Sequence, residues 1–269
     1  MSRYFIANEN RDLIKEIKEE EYENYKIVNS KLQDYSNVFD CFINLKRSQE
    51  NINNYLKLIS EKEDRSINEM YTDCKFIFLI NIMLGRIFID NVKAYCKKSR
   101  KIELRKYITE MEQRDELKML KLLRNFGQHH SLPFSNFRIT KDLIKEECYI
   151  DVLIDAKIIK NNFFLNDSDK EYIYKFKSKE ISIVTYNKMW TSSLNLIFER
   201  IRDNYFNGDN NLEKQLLFNL FSEYLEMKNS NIVAGLTKVT KASTNLFTFE
   251  DIVPVNFILV KDLLKLSKK

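Results

Sequence analysis

The chain has 269 residues, 44% of them hydrophobic and 13% aromatic, which is enough apolar material for a real core and excludes a disordered chain. Four glycines and two prolines are too few for the tight turns of a sandwich or barrel, so the Leu-, Lys-, Glu- and Asn-rich composition predicts a mainly α fold. Lys and Arg outnumber Asp and Glu 44 to 39, a net charge of +5 that permits a polyanionic partner without demanding one.

The N-terminal "MSRYFIANENRD" has no apolar h-region, an expectation against secretion. From Asn8 to Lys62, Val28, Leu32, Tyr35, Phe39, Phe42, Ile52, Tyr55 and Ile59 recur at three and four residues, predicting one amphipathic helix or a broken pair. After a polar break at "EKEDRS", a second helix is expected over Ile67 to Lys98. Its middle, "FIFLINIMLGRIFI" from Phe76 to Ile89, is apolar on nearly all faces and belongs at the centre of a bundle. That run is shorter than a membrane span and carries Asn81 and Arg86, so it reads as core. "KKSRK" turns the chain into a third helical segment, Ile102 to Phe126. Past Pro133, "NFRIT", "CYIDVLI" and "EYIYKFK" are β-branched and aromatic, predicting a small β-hairpin or three-stranded appendage. Helical patterning returns in "MWTSSLNLIFERIRDNYF" and "LEKQLLFNLFSEYLEM", with "NGDNN" between them. The tail from Asn229 is ambiguous until a basic terminal helix, "VKDLLKLSKK". With no repeat and no Gly-, Ser- or Pro-rich linker, one domain is expected over 1–269. It would hold a helical core at about 8–133, a β-like insertion at about 135–184 and C-terminal helices at about 185–269.

Both histidines of the chain stand side by side in "LLRNFGQHHSLP", Leu122 to Pro133. On a helix advancing about 100° per residue, Met119, Leu120, Leu122, Leu123 and Phe126 form one apolar face. Asn125 and His129 then share one edge of that stripe, Arg124 lies on the opposite edge, and His130 points into the stripe. His129 is thus the residue placed for chemistry and His130 the one placed for packing. Gly127 marks either the end of the helix or a close backbone approach, and Leu132, preceding proline, is expected to be extended. Cations at a helix end also have a plain structural role, because they offset the terminal carbonyls and the helix dipole. Chemically, an imidazole that titrates near neutral pH moves protons, and a guanidinium holds a phosphate bidentately. Arg, His and a polar amide are a minimal kit for cleaving RNA without a metal.

The order Arg124, Asn125, three residues, His129 resembles the HEPN superfamily, whose hallmark is Arg, four to six residues, His, with a polar residue after the Arg. His130 also satisfies that spacing, and "HSLP" is similar to the continuation found in some members. The motif spans about ten residues and the helical setting runs from Asn8 to Pro133. The resemblance implies a helical bundle, commonly a homodimer in which two copies of the motif face one another. It also implies a metal-independent, cofactor-free cytoplasmic endoribonuclease acting as a toxin or phage-defence effector, with RNA as substrate and either an antitoxin or another regulatory protein as a partner. Arg124 and His129 would be catalytic, Asn125 the polar helper and His130 a secondary candidate. The 2′-hydroxyl would attack the adjacent phosphorus, leaving a 2′,3′-cyclic phosphate and a 5′-hydroxyl. Ser131 stands where some toxin members carry a tyrosine. Other members bind or assemble without cleaving, which makes a non-catalytic module for nucleic acid or protein the alternative.

Rival constellations are weaker. No phosphate loop, GxSxG or HExxH occurs. Cys41, Cys74, Cys96 and Cys148 are scattered, which predicts buried thiols in a reducing compartment and no metal site. Cys74 is the candidate for nucleophilic chemistry beside a histidine. "EIKEEEYENY" reads as a solvated charged face, and Trp190 as core ahead of base stacking.

Overall fold

The computed structural model describes residues 2–61, 66–130, 132–142, 147–161, 165–206, 211–227, 233–243 and 246–265. In chain order the elements are β1 (Ser2–Ala7), β2 (Leu13–Ile17), α1 (Glu19–Glu61), α2 (Ile67–Lys98), α3 (Ile102–Met111), α4 (Asp115–His129), β3 (Phe134–Asp142), β4 (Glu147–Asp155), α5 (Ala156–Lys160), α6 (Asp167–Tyr174), β5 (Glu180–Ser182), α7 (Ile183–Asp203), α8 (Asn211–Phe221), β6 (Gly235–Ser243), β7 (Leu246–Pro254) and α9 (Phe257–Lys265). The fold is mainly α with two small antiparallel sheets. Two compact units divide the chain, one built from 1–39 and 200–269, the other from 40–199.

In the first unit the strands run in the order β2-β1-β6-β7. Asn8 and Asp12 close the turn between β1 and β2, with the Asp12 amide donating to Asn8 Oδ1 at 2.9 Å and Arg11 taking a left-handed φ of 65°. The expected helical run beginning at Asn8 therefore starts only at Glu19. Tyr22 and Tyr25 on α1 are buried, and the Tyr22 ring lies 4.9 Å from that of Tyr4 on β1.

The second unit is organised by α2. Ser66 caps it by accepting from the Glu69 amide at 3.2 Å. Arg100 at φ 53° ends it, with the Lys101 amide reaching back to the Cys96 carbonyl at 2.9 Å, a Schellman closure with arginine where glycine is usual. Asn81, fully buried at the middle of α2, donates to Ser48 Oγ on α1 at 3.1 Å. Its Oδ1 accepts the Asn187 amide at 2.8 Å and the Trp190 indole at 3.1 Å, both from α7. Trp190 is thus a core residue, in line with its helical spacing. Around this network Phe42 stacks on Phe198 with centroids 3.7 Å apart. The helix is not apolar-packed on every side, however: Phe76 is 64% exposed and Ile87 45%.

The third helical segment divides in two. No glycine or proline breaks it at Glu112–Arg114; tertiary bonds do. Glu112 accepts Arg86 Nη1 at 2.9 Å and also pairs with Lys93. Arg114 donates to Ser193 Oγ at 3.3 Å, and Tyr172 donates to the Asp115 carbonyl at 2.9 Å. Beyond α4, β3 pairs antiparallel with β4, and β4 with β5. "EYIYKFK" is not a strand. Its first four residues close α6, whose start is capped by Asn166 accepting from the Asp169 amide at 2.9 Å. In the tail the ambiguous stretch becomes β6 and β7, and Pro254 ends β7.

Two expectations follow. Asn81→Leu keeps the branched skeleton but strands the Trp190 and Asn187 donors and adds bulk to a closed site, so it should cost about 3 kcal/mol in denaturant unfolding; an unchanged midpoint would remove Asn81 from the centre of the fold. Burial pushes the Glu112 carboxyl up, but the hydrogen bonds from Lys93 and Arg86 outweigh it and hold the pKa below its ordinary 4.5. A carboxylate that binds protons less tightly when folded stabilises above its unfolded pKa and loses that contribution as pH falls through the folded one. Glu112→Gln should cost about 2 kcal/mol at pH 7, and the gap from the parent chain should close below about pH 4.

Candidate functional site

The motif residues occupy the last turns of α4. Met119, Leu120, Leu122, Leu123 and Phe126 are all buried, the apolar face expected from spacing. Gly127 lies inside the helix, and a Cβ placed there would stand 2.7 Å from Leu79 Cδ1 of α2. The glycine therefore serves close helix approach. Near mid-helix a Cβ on Gly85 of α2 would meet Leu120 Cδ2 at 3.1 Å, so both helices thin out where they cross.

Asn125 and Arg124 are half-buried and His129 is exposed. Arg124 and Asn125 leave the helix about 100° apart, yet Arg124 Nη1 reaches across to donate to Asn125 Oδ1 at 3.2 Å. The Asn125 amide nitrogen in turn donates to Asp169 Oδ2 of α6 at 3.1 Å. Asp169 is only 6% exposed and also receives the Asn166 side-chain amide at 2.9 Å. Carboxylate, amide and guanidinium thus form a chain that orients Asn125 with its oxygen toward the arginine. Asp169 is the residue that sequence reasoning missed. Its signal is present in "NDSD": Asn166 followed three positions later by an acid is a helix-start pattern, although the same four residues also suit a turn between strands.

Helix α4 ends at His129, so the projection that puts His130 in the apolar stripe stops one residue short. His130 is extended, at φ −141° and ψ 156°, with its amide bonded to the Phe126 carbonyl at 3.0 Å. Its ring lies 5.2 Å from the Phe126 ring, on the exposed side, so it covers that phenylalanine without entering the core. Leu132 and Pro133 are buried, and Ser131 lies outside the described residues. Arg124 and His129, five positions apart, project about 140° from one another and about 7.5 Å along the axis. His129 stays within about 40° of Asn125.

The other candidates separate cleanly from this site. Cys74 is fully buried, and burial pushes its thiol up to about 12, so it is a protonated core group and no nucleophile. Burial likewise raises Cys96 to about 11, while the Cys148 side chain lies outside the described residues. Among the described residues no group of three or more His, Cys, Asp and Glu stands close enough to hold a metal ion. The acidic stretch around Glu19, Glu20 and Glu21 forms the first turn of α1, where carboxylates offset the helix dipole. No described helix is long and apolar enough to cross a membrane. No family model, curated protein or solved structure matches the chain.

The Asp169 anchor is open to a direct check. Asp169→Ala leaves the Asn166 cap in place but strands the side-chain amides of Asn125 and Asn166, an expected loss of about 2 kcal/mol in thermal or denaturant unfolding. Arg124→Ala, at a half-exposed position, should cost about 0.5 kcal/mol. Equal losses would mean that Asp169 does not organise the site.

Proposed function

We propose that this protein is a metal-independent endoribonuclease of HEPN type, a toxin or phage-defence effector of the cytoplasm whose partners are RNA, a second copy of itself and an antitoxin or other regulatory protein. One observation carries the proposal. Asn125 is held between Arg124 and the buried Asp169 while His129 stands exposed at the end of the same helix. A helix end built only to neutralise its dipole has no use for a buried carboxylate that aims an amide at an arginine.

In the reaction, Arg124 stabilises the charge gathering on the phosphoryl oxygens and His129 transfers a proton. The chain carries one copy of the motif, so a site shared between two copies is what brings a second proton carrier to the same phosphate. A facing His129 also resolves the proton balance: one imidazole accepts the 2′-hydroxyl proton while the other donates to the leaving 5′-oxygen. The helical bundle with its small β appendage is the scaffold this reading implies. A second reading, a non-catalytic module for nucleic acid or protein, draws on the same hydrogen bond, because an arginine held by Asn125 is already partly satisfied.

Incubation of the purified protein with total RNA separates the two. Cleavage should persist in EDTA, leave 2′,3′-cyclic phosphates, and fall at least about 100-fold in Arg124→Ala and His129→Ala. His130→Ala should retain most activity, and sedimentation should show a dimer. Intact RNA with all proteins, or cleavage that needs a divalent ion, removes the nuclease reading.

A further inference from the structure

A second feature of the same helix lies at its opposite end. Gln113, Asp115 and Lys118 at the start of α4, with Tyr172, Lys175 and Phe176 at the close of α6, line a cleft of about 360 Å³. Its aromatic floor is rigid. The Phe176 ring meets Tyr172 edge-on at 5.3 Å and Tyr186 at 6.3 Å. Lys160 also ties down the Phe176 carbonyl at 2.7 Å. Its carboxylate is aimed as well, since Asp115 Oδ2 accepts the Tyr186 hydroxyl at 2.7 Å. Burial raises the Tyr186 pKa, so that hydroxyl stays a donor. A carboxylate has about four acceptor positions, more than one tyrosine fills. Two cations, Lys118 and the exposed Lys175, also line the cleft, the latter beside Glu171 at 3.3 Å.

The position of this cleft ties it to the motif. Lys118 and Asn125 are seven residues apart and so share one face of α4 to within about 20°. Lys121, between them, is exposed. From Lys118 to Arg124 the helix rises about 9 Å, the length of two to three stacked nucleotides at about 3.4 Å each.

We propose that the Gln113–Phe176 cleft is a nucleotide subsite for single-stranded RNA, selecting a guanine two to three nucleotides from the bond held at Arg124. Phe176 stacks the base, Lys118 and Lys175 take the phosphates, and Asp115 accepts the adjacent N1–H and N2–H of guanine. Uracil and cytosine offer a smaller stacking face and no such donor pair, and adenine offers its amino group alone. The proposal rests on the nuclease reading only for the distance to the scissile bond.

Binding can be measured apart from cleavage with labelled 2′-O-methyl hexamers, which lack the attacking hydroxyl. The probes are an all-uridine hexamer and one with a single guanosine. The parent protein should bind the guanosine hexamer about 10-fold tighter, as one well-made charged hydrogen-bond pair warrants. Asp115→Asn, which still accepts the Tyr186 hydroxyl, should remove most of that preference. Lys118→Glu with Lys175→Glu should weaken both hexamers alike and reduce the log–log salt slope by about 0.7 for each phosphate that is no longer neutralised. Equal binding of the two hexamers, or lysine variants with unchanged affinity and slope, overturns the subsite. If the guanosine preference and its response to Asp115→Asn hold while RNA stays intact, the subsite stands and the catalytic reading falls. If Arg124→Ala and His129→Ala abolish cleavage while the cleft variants bind as the parent does, the catalytic reading stands and the subsite falls.

Discussion

A single buried amide organises the second unit. Asn81 has four hydrogen-bonding positions, and Ser48, Asn187 and Trp190 engage both its nitrogen and its oxygen from two different helices. Apolar contacts tolerate sliding; a buried amide does not, because a displaced donor loses its partner with no water to replace it. Asn81 therefore fixes the register of α1, α2 and α7 together. Four residues on, Gly85 gives α4 a flat surface to lie on. The motif helix takes its place from a polar lock and a missing side chain that stand one turn apart on the same face of α2.

With its axis set, α4 is held at both ends by different means. At the start, Tyr172 and Tyr186 bond Asp115, and Arg114 reaches Ser193. At the finish, Gly127 admits Leu79 and Asn125 is tied to Asp169. Helix α6 takes part at both ends, through Tyr172 and Asp169, so it lies along α4 as a splint. Side chains along the edge of α4 that α6 supports, Lys118, Lys121, Asn125 and His129, are thereby presented from a braced helix. Such support is what a reactive constellation requires if it is not to lose geometry to loop motion.

How much of this was legible in the sequence depended on where the deciding contacts lie. Helix α2 could be read to its ends because Ser66 and Glu69 form a local cap and Lys97 and Lys98 sit in the last turn. The apolar face of α4 followed from local spacing too, whereas Gly127 read equally as a helix end or a close approach, and Leu79 from another helix decides it. The break at Glu112 was hidden, since Arg86, Lys93 and Ser193 act from elsewhere in the chain and the local residues all favour helix. Strand β1 has one local partner, β2, announced by the Asn8 and Asp12 turn residues, but its other partner, β6, lies more than 200 residues away, and the charged β2 carries no clear strand pattern. In α6 two local signals conflicted, and the Asn166 cap with burial of Tyr172 and Ile173 won over β-branched and aromatic propensity. His130 went astray by one residue, at the point where a helical projection ceases to apply.

The order of the strands has a consequence for how the chain is made. Tyr4 of β1 pairs with Lys238 of β6, while the whole of 40–199 is contiguous. At ribosomal rates of about 5–20 residues per second, β1 emerges roughly 10–50 s before the strand that completes its sheet. Until then only β2 covers one of its edges, and the other is a row of open amides and carbonyls of the kind that recruits foreign strands. The contiguous unit, by contrast, has all its parts in hand before β6 is translated. A message cut short anywhere after Glu199 and before Gly235 would thus release a folded middle carrying an unsealed two-stranded edge, a product suited to chaperones and proteases and poor in lifetime.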